Sequence, residues 1–288
     1  YAEGCKKMGT DRSGFGAALE AVAQADKVLM VIGEDWDWSG EAASRTDISV
    51  PGVQSELLSM IAATGKPVAV VLLNGRPLVL EKENVDADAL LEAWYPGTMG
   101  ADAVTDILFG QYNPSGKLTM TFPRSVGQIP IFYYEKNTGR PIYLPSEKYK
   151  SRYLDSPNDP LYPFGYGLSY TTFSYSDLSL SSPKVKKGKT IEATVTVTNT
   201  GQVTGEETVQ LYIRDLVGSV TRPVKLLKAF QKVAIPPGES RKITFTIDND
   251  MLSFWRQDMT FGVEEGDFKV MVGGSSADLL QASFTLVP

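Results

Sequence analysis

The residues best equipped for chemistry lie in the stretch VLMVIGEDWDWSGEAASRTDISV, residues 28–50. An apolar run ends at Gly33, and before Arg45 come four acids (Glu34, Asp35, Asp37, Glu41) and two tryptophans (Trp36, Trp38). Paired carboxyl groups perform general acid and base work or nucleophilic attack. Indole faces stack on the apolar faces of sugar rings while carboxylates bond hydroxyls, so the mixture fits a carbohydrate site. It fits equally an acidic surface loop pinned to its sheet by the tryptophans, and composition alone leaves both readings open. A dinucleotide site is a poor fit. It needs a Gly-x-Gly-x-x-Gly turn running into a helix, whereas VIGEDWDWSG lacks the second glycine and sets carboxylates where a pyrophosphate would sit. A second strand end, VLLNGRP (71–77), offers Arg76, which is as well suited to brace the loop as to contact a ligand.

Two absences narrow the chemistry. The chain has no histidine, which excludes Ser-His-Asp and Cys-His units and histidine-ligated zinc. Its one cysteine, Cys5, permits no internal disulfide and no thiolate metal cluster, and without a histidine base it reads as a packed or terminal thiol. No metal or cofactor is expected. A net charge of −6 opposes phosphate backbones and anionic membranes, which argues against nucleic acid as a partner. No apolar run approaches the ~20 residues of a spanning helix, so no membrane insertion is expected. The first residues carry no basic-then-apolar leader, and the chain reads as a mature or excised piece.

The elements that must position the loop come in two rhythms. From about 14 to 125, helical segments (14–25, 51–65, 99–110) alternate with strand candidates (27–33, 67–73, 89–95, 117–122). Continuous apolar strands between amphipathic helices predict a mostly parallel α/β sheet with both faces covered, and ligands of such sheets collect beyond the carboxyl ends of the strands. That is where residues 34–48 leave. Residues 126–170 are rich in Pro, Gly and Tyr and read as a connecting segment packed across the first domain. From 171 to 288 the period becomes two. Strand candidates at 190–201, 207–215, 225–235, 241–247 and 267–276 predict an antiparallel β-sandwich of immunoglobulin or fibronectin type III kind.

With these elements in place, GEAASRTDI before a proline and a helix, GKPVAVVLLNGRP, ALLEAWYPGTMGADAVTDILFG, NPSGKLTMTFPRSVGQIP and PLYPFGYGLSYTTF together resemble glycoside hydrolase family 3, in its bacterial periplasmic β-glucosidase branch. VTNTGQVTGEETVQLYI and RPVKLLKAFQKVAIPPGES resemble the fibronectin type III-like domain of that family. The resemblance covers nearly the whole chain. It implies an α/β sandwich domain (1–125), the connecting segment (126–170) and the fibronectin type III-like domain (171–288). It also implies a preceding TIM-like barrel that is not among these residues.

The activity implied is retaining hydrolysis of β-glucosides or oligosaccharides, with a barrel aspartate as nucleophile and a glutamate of the α/β domain as general acid/base. The family's Glu-x-x-x-Arg pattern falls on Glu41 and Arg45, with Glu34 as runner-up acid and Asp35 and Asp37 less suited. Gly40, Ala42 and Ala43 leave room for a sugar at Glu41. Trp38 is a candidate apolar wall to raise its pKa, and Trp36, Trp38 and Arg45 are candidate substrate-binding residues. A tight Arg45–Glu41 pair would lower the acid's pKa, so Arg45 is expected to engage another acid such as Asp47. Retaining chemistry needs two carboxyls about 5–5.5 Å apart, and only one is expected here, so the chain alone is expected to be inactive. The rival reading is a noncatalytic sugar-binding or scaffolding module of a β-xylosidase-like or other family 3 hydrolase. The branch implies a periplasmic or secreted location. Sugar preference and homodimer formation are left open.

Overall fold

Contacts in the computed structural model, which describes residues 1–141 and 149–288, divide the chain into two compact units. The first comprises Tyr1–Phe109 and Phe122–Pro130, the second Gly110–Thr121 and Ile131–Pro288. The segment read as a connector at 126–170 is therefore divided after Pro130, and its residues 142–148 lie outside the described part.

The first unit is built on a parallel three-stranded sheet in sequence order: β1 (Val28–Gly33), β2 (Val68–Leu73) and β3 (Ala89–Glu92). Helix α1 (Phe15–Gln24) precedes β1. Helices α2 (Gln54–Ala62) and α3 (Glu81–Asp86) fill the crossovers, and α4 (Gly100–Leu108) follows β3. The central strand explains the apolar run VAVVLL: Val68, Val70, Val71 and Leu72 are all buried. Burying each such side chain contributes about 1.5–3 kcal/mol. β1 is less enclosed than its sequence suggests, because Met30 and Ile32 are buried while Leu29 and Val31 face outward. Helix α2 packs Leu57, Leu58 and Ile61 inward, and the turn that follows it closes on Gly65, whose φ of 74° lies in the left-handed region that glycine favours.

The alternation of KLTMTF predicts a strand at 117–122, and the structure shows no such strand in the first sheet. Residues 110–121 belong to the second unit, where Leu118 exchanges backbone bonds with Gly165 and Tyr166. Lys117 turns inward there to the Gly167 carbonyl and to the buried carboxylate of Glu207, 3.1 Å away.

The second unit is a β-sandwich. One sheet has three antiparallel strands, β4 (Phe173–Leu180), β6 (Ile191–Asn199) and β9 (Ser240–Ile247), in the order β4-β6-β9. The other has five, in the order β5-β13-β12-β7-β8: β5 (Lys184–Lys186), β7 (Gly205–Asp215), β8 (Leu226–Ile235), β12 (Gly266–Gly273) and β13 (Leu280–Val287). A short helix α5 (Asn249–Leu252) and the two-residue strands β10 (Phe254–Trp255) and β11 (Phe261–Gly262) lie between β9 and β12. Val195, Val197, Phe245 and Ile247 from the first sheet meet Val209, Leu211, Val270, Val272 and Phe284 from the second in one core. Within the five-stranded sheet β5 pairs parallel to β13, so the sandwich is mixed at that edge. Among the described residues no helix is long and apolar enough to cross a membrane.

Candidate active site

Three strand ends bring the candidate residues to one edge of the parallel sheet. β1 closes on Gly33, whose φ of 141° and close approach to β2 exclude any side chain: a Cβ there would sit 1.8 Å from the Leu73 carbonyl oxygen. Gln54, buried at the start of α2, clamps this end by accepting from the Gly33 N–H and donating to the Gly33 and Pro51 carbonyls, each at 2.9 Å. Gly33→Ala is therefore expected to destabilise the first unit by about 2–3 kcal/mol through strain at this crossing. Urea unfolding followed by tryptophan fluorescence measures it, and a loss below about 0.5 kcal/mol would show that the strand end can shift freely.

The next residue, Glu34, turns its carboxylate under the loop, where its side chain is 0% exposed. Arg45 Nη1 donates to Oε1 at 2.6 Å, Arg76 Nε lies 3.1 Å from the same oxygen, and the Gly75 N–H donates to Oε2 at 3.2 Å. Two guanidinium groups thus enclose one buried carboxylate, the arrangement a buried charge requires. Arg45 has its remaining bond to the Ser49 carbonyl at 3.1 Å, and its guanidinium stacks on the Trp38 ring with its carbon 4.9 Å from the centroid. Arg76 donates onward to the carbonyls of Trp38 and Ala43, the latter at 2.9 Å. Of the two roles open to Arg76, the structure shows the bracing one.

The loop between these anchors runs through a short 3₁₀ turn at Trp36–Trp38, started by Asp35, whose side chain accepts from the Trp36 N–H. Lys7 pairs with Asp35 at 2.6 Å, and with the Trp36 N–H it holds that carboxyl below its ordinary range. Glu41 then sits on a tight turn between Gly40 (φ 125°) and Ala42 (φ 58°), with the Ala43 N–H reaching back to the Gly40 carbonyl. Glu41 is exposed, and among the described residues its carboxyl has neither an ion pair nor a hydrogen bond. Trp36 is 80% exposed, whereas Trp38 is half-buried beneath Arg45.

Arg45 therefore engages an acid other than Glu41, but that acid is Glu34 and not Asp47. Asp47 is spent on Ser49, accepting from its N–H at 2.9 Å and its hydroxyl at 2.7 Å, bonds that also hold its carboxyl below the ordinary range. Sequence reasoning missed several supports. Gln54 and Gly75 carry no chemical signature. Tyr95, which donates to the Asp35 carbonyl at 3.1 Å, and Glu92, which ends β3, looked like strand residues. Among the described residues no group of three or more acids or thiols is arranged to hold a metal.

Comparison with known proteins places this geometry in a family. Residues 1–170 match the model of the glycosyl hydrolase family 3 C-terminal domain, and residues 207–276 match the fibronectin type III-like domain. A periplasmic β-glucosidase of Salmonella typhimurium is 52% identical over 272 residues, which is 94% of this chain and 35% of that protein. A β-xylosidase of Formosa agariphila is 43% identical over 288 residues, 99% of this chain and 39% of that protein. The crystal structure of a Listeria innocua β-glucosidase in complex with glucose superposes with a TM-score of 0.94 at 39% identity, covering 99% of this chain and 40% of that one. The chain thus spans well under half the length of the relatives it matches. It belongs to glycoside hydrolase family 3, carrying that family's C-terminal α/β domain followed by its fibronectin type III-like domain.

Proposed function

We propose that this chain is the C-terminal portion of a retaining β-glucosidase and that Glu41 is its general acid/base. The observation that carries the assignment is the contrast between two glutamates of one loop. Glu34 is sealed beneath Arg45 and Arg76, out of reach of any substrate, while Glu41 stands exposed and unpartnered on a turn held at both sides by Arg76. Glu34, the runner-up acid, is better suited to hold the loop than to donate a proton.

In the first half-reaction the protonated Glu41 gives its proton to the glycosidic oxygen as a carboxylate from a preceding barrel domain bonds to the anomeric carbon. In the second, the Glu41 carboxylate takes a proton from the water that displaces that carboxylate. Two small neighbours, Gly40 and Ala42, leave room for the leaving group. The exposed Trp36 face is a platform for a sugar ring. Trp38, with one face against Arg45, stiffens the loop and offers its free edge to the same space. The substrate is a β-glucoside or an oligosaccharide ending in β-glucose, and the chemistry needs water but no cofactor. The 52% identity to a periplasmic enzyme favours a periplasmic or secreted location. A pentoside-cleaving reading is kept alive by the Formosa relative, since the sugar-gripping residues would lie in the barrel.

The test is hydrolysis of an aryl β-glucoside by the 288-residue chain, alone and joined to a family 3 barrel. Background rate alone and turnover when joined are expected. Turnover by the isolated chain that Glu41→Ala abolishes would place both carboxyls within these residues and overturn the division of labour.

A further inference from the structure

The two halves of the acid-bearing loop are held by different parts of the first unit. Arg76 grips the Trp38 and Ala43 carbonyls on either side of Glu41. The half that carries Trp36 is reached instead by the irregular segment that precedes α1. Lys7 Nζ lies 2.6 Å from Asp35 Oδ1, the same oxygen that accepts from the Trp36 N–H at 2.9 Å. The Asp35 carbonyl closes the 3₁₀ turn by accepting from the Trp38 N–H at 3.1 Å, and it also accepts from the Tyr95 hydroxyl at 3.1 Å. Asp35 is thus where the Trp36 turn starts, and Lys7 is the cation on its side chain.

An exposed lysine–carboxylate pair ordinarily contributes little, because two side chains give up their freedom for a screened attraction. With side chains 54% and 29% exposed, Lys7 and Asp35 belong to that class by accessibility. They differ in how their main chains are prepared. Gln54 Nε2 donates to the Lys7 carbonyl at 3.2 Å and to the Gly33 carbonyl at 2.9 Å, so Lys7 is tied to the strand end from which the loop departs. The segment also lies close against α2 and the turn before it. A Cβ on Gly52 would stand 3.1 Å from the Lys7 carbonyl oxygen, and one on Gly4 would stand 2.8 Å from Leu57 Cδ2. With both main chains fixed, less freedom is left to lose when the ammonium meets the carboxylate.

We propose that Lys7 is a positioning residue for substrate binding: it fixes the carboxylate that starts the Trp36 turn and so sets the aromatic platform, while Arg76 separately holds the proton donor. The sugar that this platform receives rests on the glycosidase reading above; the hold of Lys7 on the turn does not. A pair this exposed acts on binding more than on the chemical step. Its loss is expected to remove uniform binding, which raises KM and spares kcat.

Two experiments test the two levels separately. In the 288-residue chain labelled with 5-fluorotryptophan, Trp36→Phe and Trp38→Phe assign the two ¹⁹F lines of the loop. Lys7→Met is expected to narrow the Trp36 line as its ring gains freedom, leaving the Trp38 line unchanged, and Lys7→Arg to keep both as they are. About 1 M sodium chloride, where the screening length falls to about 3 Å, should narrow the Trp36 line of the unsubstituted chain in the same way. An unchanged Trp36 line in Lys7→Met, or a Trp38 line that narrows with it, would overturn the proposal. In the chain joined to a family 3 barrel, Lys7→Met should raise KM for a β-linked glucose disaccharide by about two- to fivefold, the range for an exposed pair, with kcat kept. Lys7→Arg should restore KM, and Lys7→Met should add nothing once Trp36→Ala is in place. An unmoved KM, a fall in kcat alone, or a full effect in the Trp36→Ala background would each count against Lys7 acting through the platform. Failure of the glycosidase reading looks different: Glu41→Ala would leave hydrolysis intact while the ¹⁹F differences remained.

Discussion

Glu41→Ala, placed in an enzyme that carries its barrel, is expected to slow hydrolysis of an alkyl β-glucoside by ~10²–10⁴-fold, the range for a lost general acid. This corresponds to about 3–5 kcal/mol of transition-state stabilisation. The effect should depend on the leaving group. A nitrophenolate departs without a proton, so the first half-reaction of an activated aryl glucoside should be slowed far less than that of the alkyl glucoside. The second half-reaction then becomes limiting, because water has lost its base. Azide, which needs no deprotonation, should restore turnover and yield a glucosyl azide. If Glu41→Ala instead raised KM and left the leaving-group dependence untouched, the loop would serve binding alone and the scaffolding or sugar-binding reading would prevail.

The second large effect concerns stability. Glu34→Ala removes the one carboxylate that Arg45 and Arg76 share, leaving guanidiniums with side chains only 17% and 19% exposed. Stranding buried charge in this way costs about 3–5 kcal/mol, far more than the intact pair contributes over an apolar replacement. The loss should appear in the urea transition of the first unit, read by tryptophan fluorescence. Glu34→Gln should fall between, since its amide oxygen still accepts from the Gly75 N–H but carries no charge. A Glu34→Ala variant as stable as the parent, yet with the leaving-group signature expected of Glu41→Ala, would move the acid role to Glu34.

Much of the architecture was legible because single residues carry strong signals. The apolar run of β2 can only be a strand buried on both sides, and the period-two alternation of Ile191–Asn199 and Ser240–Ile247 gave those strands to within a residue or two. KLTMTF misled because alternation reports a half-buried extended segment and not what it pairs with. Here the partner is a short stretch at 165–166. Helix α3 was missed because EKENVD has too few residues to show a period, and its inward contact is a polar one, Glu83 to Ser55.

At the site, the loop's position beyond a strand end and its residue types were readable, but the choice of partner was not. Glu34, Asp47 and Glu41 are equal as letters. Only the fold shows that Asp47 is closed on Ser49 and that Glu34 lies beneath two guanidiniums. Glu92 was invisible for the same reason, since a glutamate at the end of ALLE has nothing to mark its carboxyl as buried.

The arginine that grips Trp38 and Ala43 does so through their main-chain oxygens. Main-chain oxygens are the same in every residue, so the hold on the loop is indifferent to the side chains it displays. Trp36 and Asp37 can be exchanged by mutation without touching the anchor, so what the loop displays can change while Glu41, the proposed proton donor, keeps its place. For an engineer, the rim beside Glu41 is open to randomisation, and the residues to leave alone are the unremarkable ones behind it: Gly33, Gln54 and Gly75.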